Sequence, residues 1–272
     1  LMSIYYKEKA EFFNRAMLSV WDEQSAKPDE IILVLDGLLT DDLYIVINKW
    51  QKKLSNILVI IELENNIGLG DALNEGMKHC NYDIIARMDT DDICMKNRFE
   101  KQLQVFENSD IDICSSWVSE FDNDENKIVS YRKLPEFHNE IIKFSKKKCP
   151  INHPAVMYKK SIVDKAGGYK KMLLLEDYYL WGRMILNGAK FYNIQESLVN
   201  MRAGYGQLER RGGMNYFISE YRLNKKFLDI KFINYMEFIQ NISIRFLIRM
   251  LPKAFLKIIY QSIRKKAIKG KI

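Results

Sequence analysis

Several common catalytic signatures are missing from this 272-residue chain, and each gap removes a class of function. No G-x-x-x-x-G-K-S/T segment is present, which excludes the usual phosphate loop of nucleotide hydrolases. Gly68-Leu69-Gly70 lacks the third glycine of a dinucleotide fingerprint and follows the third candidate strand, which argues against a nicotinamide site. No serine or cysteine stands in a nucleophile elbow, so a covalent hydrolase is disfavoured. Cys80, Cys94, Cys114 and Cys149 lie far apart, without a C-x-x-C pair or a Cys/His metal spacing. That is how thiols are distributed when they act as small core residues in a reducing compartment. No internal repeat, low-complexity linker or secretory leader is visible. The chain opens strand-like on Leu1-Met2-Ser3-Ile4-Tyr5, without a clear initiator, which leaves room for a few residues in front.

What is present describes a folded α/β protein. The composition is 47% apolar and 28% charged, outside the disordered range. The net charge of +7 conceals an asymmetry. Residues 225 to 272 hold 12 Lys and Arg against Asp229 and Glu237, whereas residues 1 to 224 hold 30 basic and 33 acidic side chains. The basicity belongs to the tail. A nucleic-acid-binding core would carry basic residues over its own surface, so no nucleic-acid partner is expected.

Along the chain, strand and helix signals alternate. Residues 1 to 6 read as a strand, followed by a helix with Phe13, Met17, Val20 and Trp21 on one face. The apolar run Ile31 to Leu35 reads as a strand covered on both faces, stopping at Asp36-Gly37. A helix from about Asp41 to Lys52, a strand at Ile57 to Ile61, and the turn Asn65-Asn66-Ile67-Gly68 leading into another helix follow. A fourth strand at Ile84 ends in an acidic turn before a helix from about Lys96 to Phe106. Four such units predict a doubly wound, mostly parallel sheet with helices on both faces. Ligands of such sheets lie beyond the carboxyl ends of the strands, where Tyr5, Asp36 and Asp89 all fall. Residues 112–121 and 128–131 read as an antiparallel pair, 136–147 as a surface helix, and 155–158 as a short strand. Residues 1–224 are expected to form one domain, with a regular half (1–108) and a less regular half (109–224), and 225–272 a basic helical tail.

The stretch Ile84 to Asp92 (IIARMDTDD) is the focal point. Three carboxylates at a strand end repel one another, and a hard divalent cation sharing oxygen ligands with substrate phosphates would relieve that repulsion. The plainer alternative is a solvated turn in which an aspartate caps the helix beginning near Met95. Glu176-Asp177 is the second acidic spot. Carboxylates in the first turn of a helix suit the dipole without any function, yet Tyr178, Tyr179 and Trp181 beside them offer the desolvation that proton abstraction uses. His153, between Asn152 and Pro154 in a rigid loop, is either a site residue or a turn histidine satisfied by backbone. His79 and His138 read as surface residues of helices.

In their order and spacing, SIYYKE, LVLDG, NNIGLGDALNEG, ARMDTDD, NHPAVMYKK, GGY and LEDYYLWGRMILNG resemble the inverting glycosyltransferases of family 2. The likeness runs from residue 1 to about 215, and is nearest to bacterial enzymes of O-antigen, capsule and exopolysaccharide assembly, galactosyltransferase-like members included. It departs from the family pattern at Leu35, where many members carry an aspartate. The resemblance implies a glycosyltransferase A-type fold, a UDP-sugar donor, a Mn²⁺ or Mg²⁺ cofactor and a lipid-linked saccharide acceptor. It assigns Tyr5 and Asp36 to the nucleobase, Asn66 and Gly68 to the nucleotide, and Asp89 to the ribose or the metal. Asp91 becomes a metal ligand and Asp177 the general base, with Glu176 beside it. His153 and Trp181 fall on the acceptor side. Residues 200 to 213 fit a flexible segment over the site, with Arg202, Arg210 and Arg211 available to a diphosphate. The Q-x-x-R-W pattern of processive synthases is absent, which implies one sugar per encounter.

Two other functions remain open at this point. A sugar nucleotidyltransferase also uses a doubly wound sheet and acidic metal ligands, but its glycine-rich first loop is missing from Ser3 to Glu8. The third reading is an inactive nucleotide-sugar-binding scaffold. In the tail, Ile242–Leu251 and Lys253–Lys266 combine apolar and basic positions without the ~20 apolar residues that span a bilayer. They are expected to lie peripherally on the anionic inner face of a bacterial cytoplasmic membrane, Arg245 and Arg249 facing headgroups, or else to pack on the catalytic domain.

Overall fold

A computed structural model describes residues 1–202 and 213–250. Strands β1 (Met2–Ile4), β2 (Ile31–Asp36) and β3 (Leu58–Leu63) form a parallel sheet in the order β1-β2-β3. All six positions of β2 are buried, as a strand covered on both faces requires. Successive side chains point to opposite faces. Ile31, Leu33 and Leu35 therefore pack with Phe13 and Met17 of α1 (Ala10–Met17) and Leu43, Ile47 and Trp50 of α2 (Asp41–Leu54). Ile32 and Val34 meet Ala72, Leu73 and Met77 of α3 (Leu69–Lys78). Helix α3 lies close to the sheet because of Gly76, where an added Cβ would stand 2.6 Å from Val34 Cγ2.

The expected fourth parallel strand is not one. Strand β4 (Ile84–Ala86) runs antiparallel to β8 (Met157–Lys159), pairing Ile85 with Tyr158. It belongs to a second, mixed sheet in the order β4-β8-β6-β9-β5. Here β5 is Ile93–Cys94, β6 Ile113–Phe121 and β9 Phe191–Arg202, while β7 (Ile128–Arg132) pairs with β6 as the expected hairpin. Only β6 and β9 run parallel in this sheet. In place of one mostly parallel sheet there is thus one parallel sheet and one mixed sheet. The two sheets touch where the Met88 amide donates to the Leu1 carbonyl at 3.2 Å.

Strand β9 is 12 residues long, and its last three residues fall where a flexible segment was expected. Its alternation is broken by polar residues that are nonetheless used inside. The Asn193 amide donates to the Pro135 and Pro150 carbonyls at 2.7 and 3.1 Å, tying two loops to the sheet. The register with β6 also shifts on both sides of Trp117.

Helices α4 (Arg98–Asn108), α5 (His138–Ser145) and α6 (Lys160–Lys165) lie against strands of the mixed sheet. Helix α7 (Glu176–Leu186) then packs on α8 (Gly213–Asp229), with the Tyr178 and Phe227 rings edge to face at 5.1 Å. Helix α8 passes through the expected division at 224 and folds back as α9 (Tyr235–Met250). The expectation that Arg245 and Arg249 face headgroups fails. Both pair with Glu220, a buried carboxylate of α8, with Arg249 Nε at 2.9 Å. A buried carboxylate without partners is costly, and that cost sets which face of α9 turns inward.

Candidate active site

The loop after β1 touches the turn after β4 where Thr90 bonds Glu8, and the carboxyl end of β2 holds the loop after β3. Asp36 closes β2 with its side chain only 3% exposed. Its carboxylate accepts from the Ile67 amide at 2.7 Å, the Gly68 amide at 3.1 Å and the Asn66 side-chain amide at 3.0 Å. Asp36 therefore organises the Asn66–Gly68 loop. Its neighbour Gly37 is required by the same contact, since φ is +85° and an added Cβ would sit 2.7 Å from the Asn66 amide. Asp36 was expected at the nucleobase; in this structure its carboxyl lies beneath the Asn66–Gly68 loop. Tyr5 is exposed at the end of β1, edge to face with Tyr6.

After β4, the aspartates fall into three different environments. Both terminal guanidinium nitrogens of Arg87 donate to Asp89. Asp92 is buried, and its Oδ1 accepts from the Arg202 amide at 2.8 Å. Its Oδ2 has no partner among the described residues. Burial raises Asp92 well above the usual carboxylate range, and the charges of Asp91 and Asp89 add to the effect. Asp91 is pushed up to about 7 by burial and by the charges of Asp89 and Glu8. The plainer capping alternative does not hold, because Ile93–Cys94 pairs with β9 after Asp92 and the helix starts only at Arg98.

Two participants were not legible in the sequence as site residues, and a third stands elsewhere than expected. Glu8 arrives from the loop after β1 and accepts from the Thr90 hydroxyl at 3.1 Å, and burial raises its carboxyl. Arg87 is wholly buried, with Nε unpartnered among the described residues. A cation inside the apolar run Ile84 to Met88 was the one sequence signal for it. Arg202 was expected in the loop over the site. It closes β9 instead, with its guanidinium over the rings of Phe12 (3.7 Å) and Phe121 (4.6 Å) and Nε donating to the Asp91 carbonyl. Arg210 and Arg211 lie outside the described residues.

The second acidic spot opens α7. The Asp177 carboxylate accepts from the Tyr178 amide at 2.7 Å, and Cys149 Sγ lies 3.8 Å from Oδ2. Burial raises the Glu176 carboxyl, and the Asp177 charge raises it further. The start of α3 leans against this turn: a Cβ added at Gly70 would lie 3.3 Å from Tyr169 Cβ and 3.6 Å from Glu176 Cγ. Asn74 of α3 holds the Tyr169 backbone from both sides, accepting its amide at 2.7 Å and donating to its carbonyl at 2.8 Å. The Tyr169 hydroxyl meets His153 Nε2 at 2.8 Å. His153 is therefore satisfied by a side chain, not by backbone. Burial, with the Arg87 charge adding to it, holds its imidazole well below the usual range, so it is neutral. Trp181, expected at the acceptor, is 0% exposed and packs against His153 and Tyr158 from inside the core.

No group of three His, Cys, Asp or Glu among the described residues holds a metal unaided. The donor set nevertheless fits a hard cation. Asp91 and Asp89 offer oxygens, the buried Asp92 Oδ2 lacks a partner, and the mutual repulsion favours a positive charge. Phosphate and water oxygens would complete the shell.

Residues 2–166 match the family model described as glycosyl transferase family 2. An uncharacterised glycosyltransferase of Haemophilus influenzae is 41% identical over 98% of each chain. A UDP-Gal:alpha-D-GlcNAc-diphosphoundecaprenol beta-1,3-galactosyltransferase of Escherichia coli is 40% identical, over 97% of this chain and 94% of the relative. The amylovoran biosynthesis glycosyltransferase AmsE of Erwinia amylovora is 37% identical over 97% and 98%. Among solved structures, S. aureus TarS superposes with a TM-score of 0.64 at 17% identity, over 91% of this chain and 42% of its own. A mannosyltransferase from Pyrobaculum calidifontis in complex with GDP-Man and Mn²⁺ gives 0.62 at 13% identity, over 89% and 67%. At such identities the structural likeness speaks to the fold alone.

Proposed function

The chain belongs to glycosyltransferase family 2, and from that premise we propose that it moves a hexose from a UDP-sugar to a lipid-linked saccharide during bacterial surface polysaccharide synthesis. The carrying observation is that two acidic centres lie about one buried cation: Arg87 bonds Asp89 of the turn beyond β4, and its charge also acts on Glu176, which opens α7 beside Asp177. The E. coli relative uses UDP-Gal, which makes UDP-galactose the first donor to try.

The reaction is a single displacement. The acceptor hydroxyl gives its proton to the Asp177 carboxylate as its oxygen bonds to the sugar C1. The bond from C1 to the diphosphate oxygen breaks, UDP leaves with the electron pair, and the anomeric centre inverts. Asp91, with Asp89, would hold Mn²⁺ or Mg²⁺, which when bound offsets the negative charge of the departing diphosphate. Arg202, stacked at the edge of the same cluster, adds positive charge toward the phosphates. Asp36 shapes the nucleotide side by holding Asn66 and Gly68, and Tyr5 offers an exposed ring to the base. Neutral His153 keeps Tyr169 in place behind the acceptor side. A lipid-linked acceptor also places the protein peripherally at the inner face of the cytoplasmic membrane. No helix among the described residues is long and apolar enough to cross one.

The test is incubation with Mn²⁺ and a panel of UDP-sugars. UDP release that depends on a lipid-linked acceptor supports the reading. Pyrophosphate release would indicate a sugar nucleotidyltransferase, and tight binding without turnover a scaffold.

A further inference from the structure

Helix α9 is built inside out. Its stripe toward the protein is largely polar: Asn241 donates to the Asn224 side chain at 3.0 Å and to the Lys146 carbonyl at 2.8 Å, Arg245 and Arg249 hold Glu220, and Phe238 packs on Tyr221 beside them. The opposite side carries Met236, Ile239, Ile244, Leu247 and Met250, with Met236 74% and Leu247 67% exposed. In a helix serving only the core of its own domain, that polarity would be reversed. Helix α8 continues the surface through exposed Met214, Ile218 and Tyr221, spaced three and four apart on one face. Exposed apolar patches of this extent mark an interaction surface.

The charges say what covers it. Met214, Ile218 and Tyr221 lead along α8 to exposed Arg222, Lys225 and Lys226, and exposed Lys231 lies in the turn to α9. The acidic side chains of the hairpin are mostly withdrawn. Glu220 is buried against two arginines, and Glu237 pairs with Lys146. Residues 251 to 272 add seven Lys and Arg and no acidic residue. An apolar strip with a basic margin matches the interfacial layer of an anionic bilayer.

We propose that this outer face of the α8–α9 hairpin lies in the plane of an anionic lipid bilayer and sets α7 at a fixed height above it. The inference rests on the reading of a lipid-linked acceptor for its purpose, but not for its geometry. Helix α7, which carries Asp177, is fastened to α8 without slack. A Cβ at Gly182 would stand 2.5 Å from the buried Phe227 ring, and Tyr178 and Tyr179 flank the same ring. Insertion of the hairpin therefore orients the first turn of α7 toward a sugar carried on a lipid diphosphate.

The experiment uses the full chain and vesicles of phosphatidylglycerol with phosphatidylcholine. Met236→Gln, Ile239→Gln and Leu247→Gln together should weaken vesicle partitioning by at least about tenfold, because binding scales with inserted apolar area. UDP should raise the melting temperature of the variant as it does the parent's. Turnover on vesicle-borne acceptor should fall in parallel, while turnover on a short water-soluble acceptor stays at the parental level. A tryptophan placed by Leu247→Trp should be quenched by brominated lipid, and part of the binding should survive about 0.5 M salt, where headgroup attraction is screened. The proposal is overturned if the triple variant binds like the parent, since the basic chain beyond Met250 then suffices. It is also overturned if sedimentation shows a dimer that the substitutions dissolve while vesicles are ignored. A protein that binds vesicles through this face but turns over no UDP-sugar would sink the functional reading and leave the surface standing.

Discussion

Arg87 is wholly buried and donates two hydrogen bonds to Asp89, whose own side chain is 34% exposed. The asymmetry makes the two partners unequal. If Asp89 is removed, a buried cation is stranded; if Arg87 is removed, the carboxylate is left able to reach water. Breaking a buried pair costs about 3–5 kcal/mol when a charge is left uncompensated. Asp89→Ala should approach that range, whereas Arg87→Met, which keeps an apolar stem of similar length, should cost less. Urea denaturation of the two variants decides it, and the reverse order would show that Arg87 is hydrated after all. A loss of turnover in Asp89→Ala is therefore evidence about the metal only when stability is measured beside it.

Asp91 differs because no cation among the described residues pairs with it as Arg87 does with Asp89, and burial with the charges of Asp89 and Glu8 raises it to about 7. Asp91→Asn should abolish metal-dependent turnover and weaken UDP-sugar binding in Mn²⁺. In EDTA at about pH 8 the same variant should melt higher than the parent, because an ionised Asp91 is then a net cost to the fold. Full activity of Asp91→Asn, or of the parent in excess EDTA, would remove the metal from the mechanism.

For Asp177 the expected defect lies in kcat. A general base acts only as the proton moves, so Asp177→Asn should lower kcat by roughly 10²–10⁴-fold with donor binding nearly unchanged. If the donor is an α-linked UDP-hexose, NMR of the product should show a β linkage. A defect confined to donor affinity would mean Asp177 has been given the wrong part.

The acidic motifs and the strand ends that carry them were legible because each is local. Asp36 follows a continuous apolar run, Asp89 to Asp92 follow another, and Glu176-Asp177 open an apolar helix. Partnerships across long sequence distance were not legible. Glu8 meets Thr90 across 82 positions, and Glu220 meets Arg245 and Arg249 across a turn. Without Glu220 in view, arginines one turn apart read as a headgroup-facing stripe. Trp181 misled in the opposite sense, since an aromatic beside a site carboxylate reads equally well as contact or as core, and here it is core. Strand β9 escaped because Asn193 and Gln195 look like loop residues until their amides are seen bonding loop carbonyls.

The last expectation concerns pH and His153. Burial holds its imidazole well below 6.5, with the Arg87 charge adding to the effect, so the folded protein keeps it neutral. The unfolded chain takes up that proton as pH falls through about 6.5. Below that value the unfolded state binds one proton more than the folded state. Stability then declines at up to about 1.4 kcal/mol per pH unit for this group. Above about 6.5 the histidine is neutral in both states and contributes no slope. Carboxylates add slopes of their own, so the comparison is with His153→Gln, which keeps a hydrogen-bonding partner for the Tyr169 hydroxyl and cannot titrate. Unfolding midpoints in urea from about pH 5 to 8 should converge for the two proteins near neutrality, apart from a constant offset, and diverge as the pH falls, the parent losing more. Parallel curves throughout would mean that His153 takes up its proton in the folded protein as in the unfolded chain, with Nε2 then donating to the Tyr169 hydroxyl.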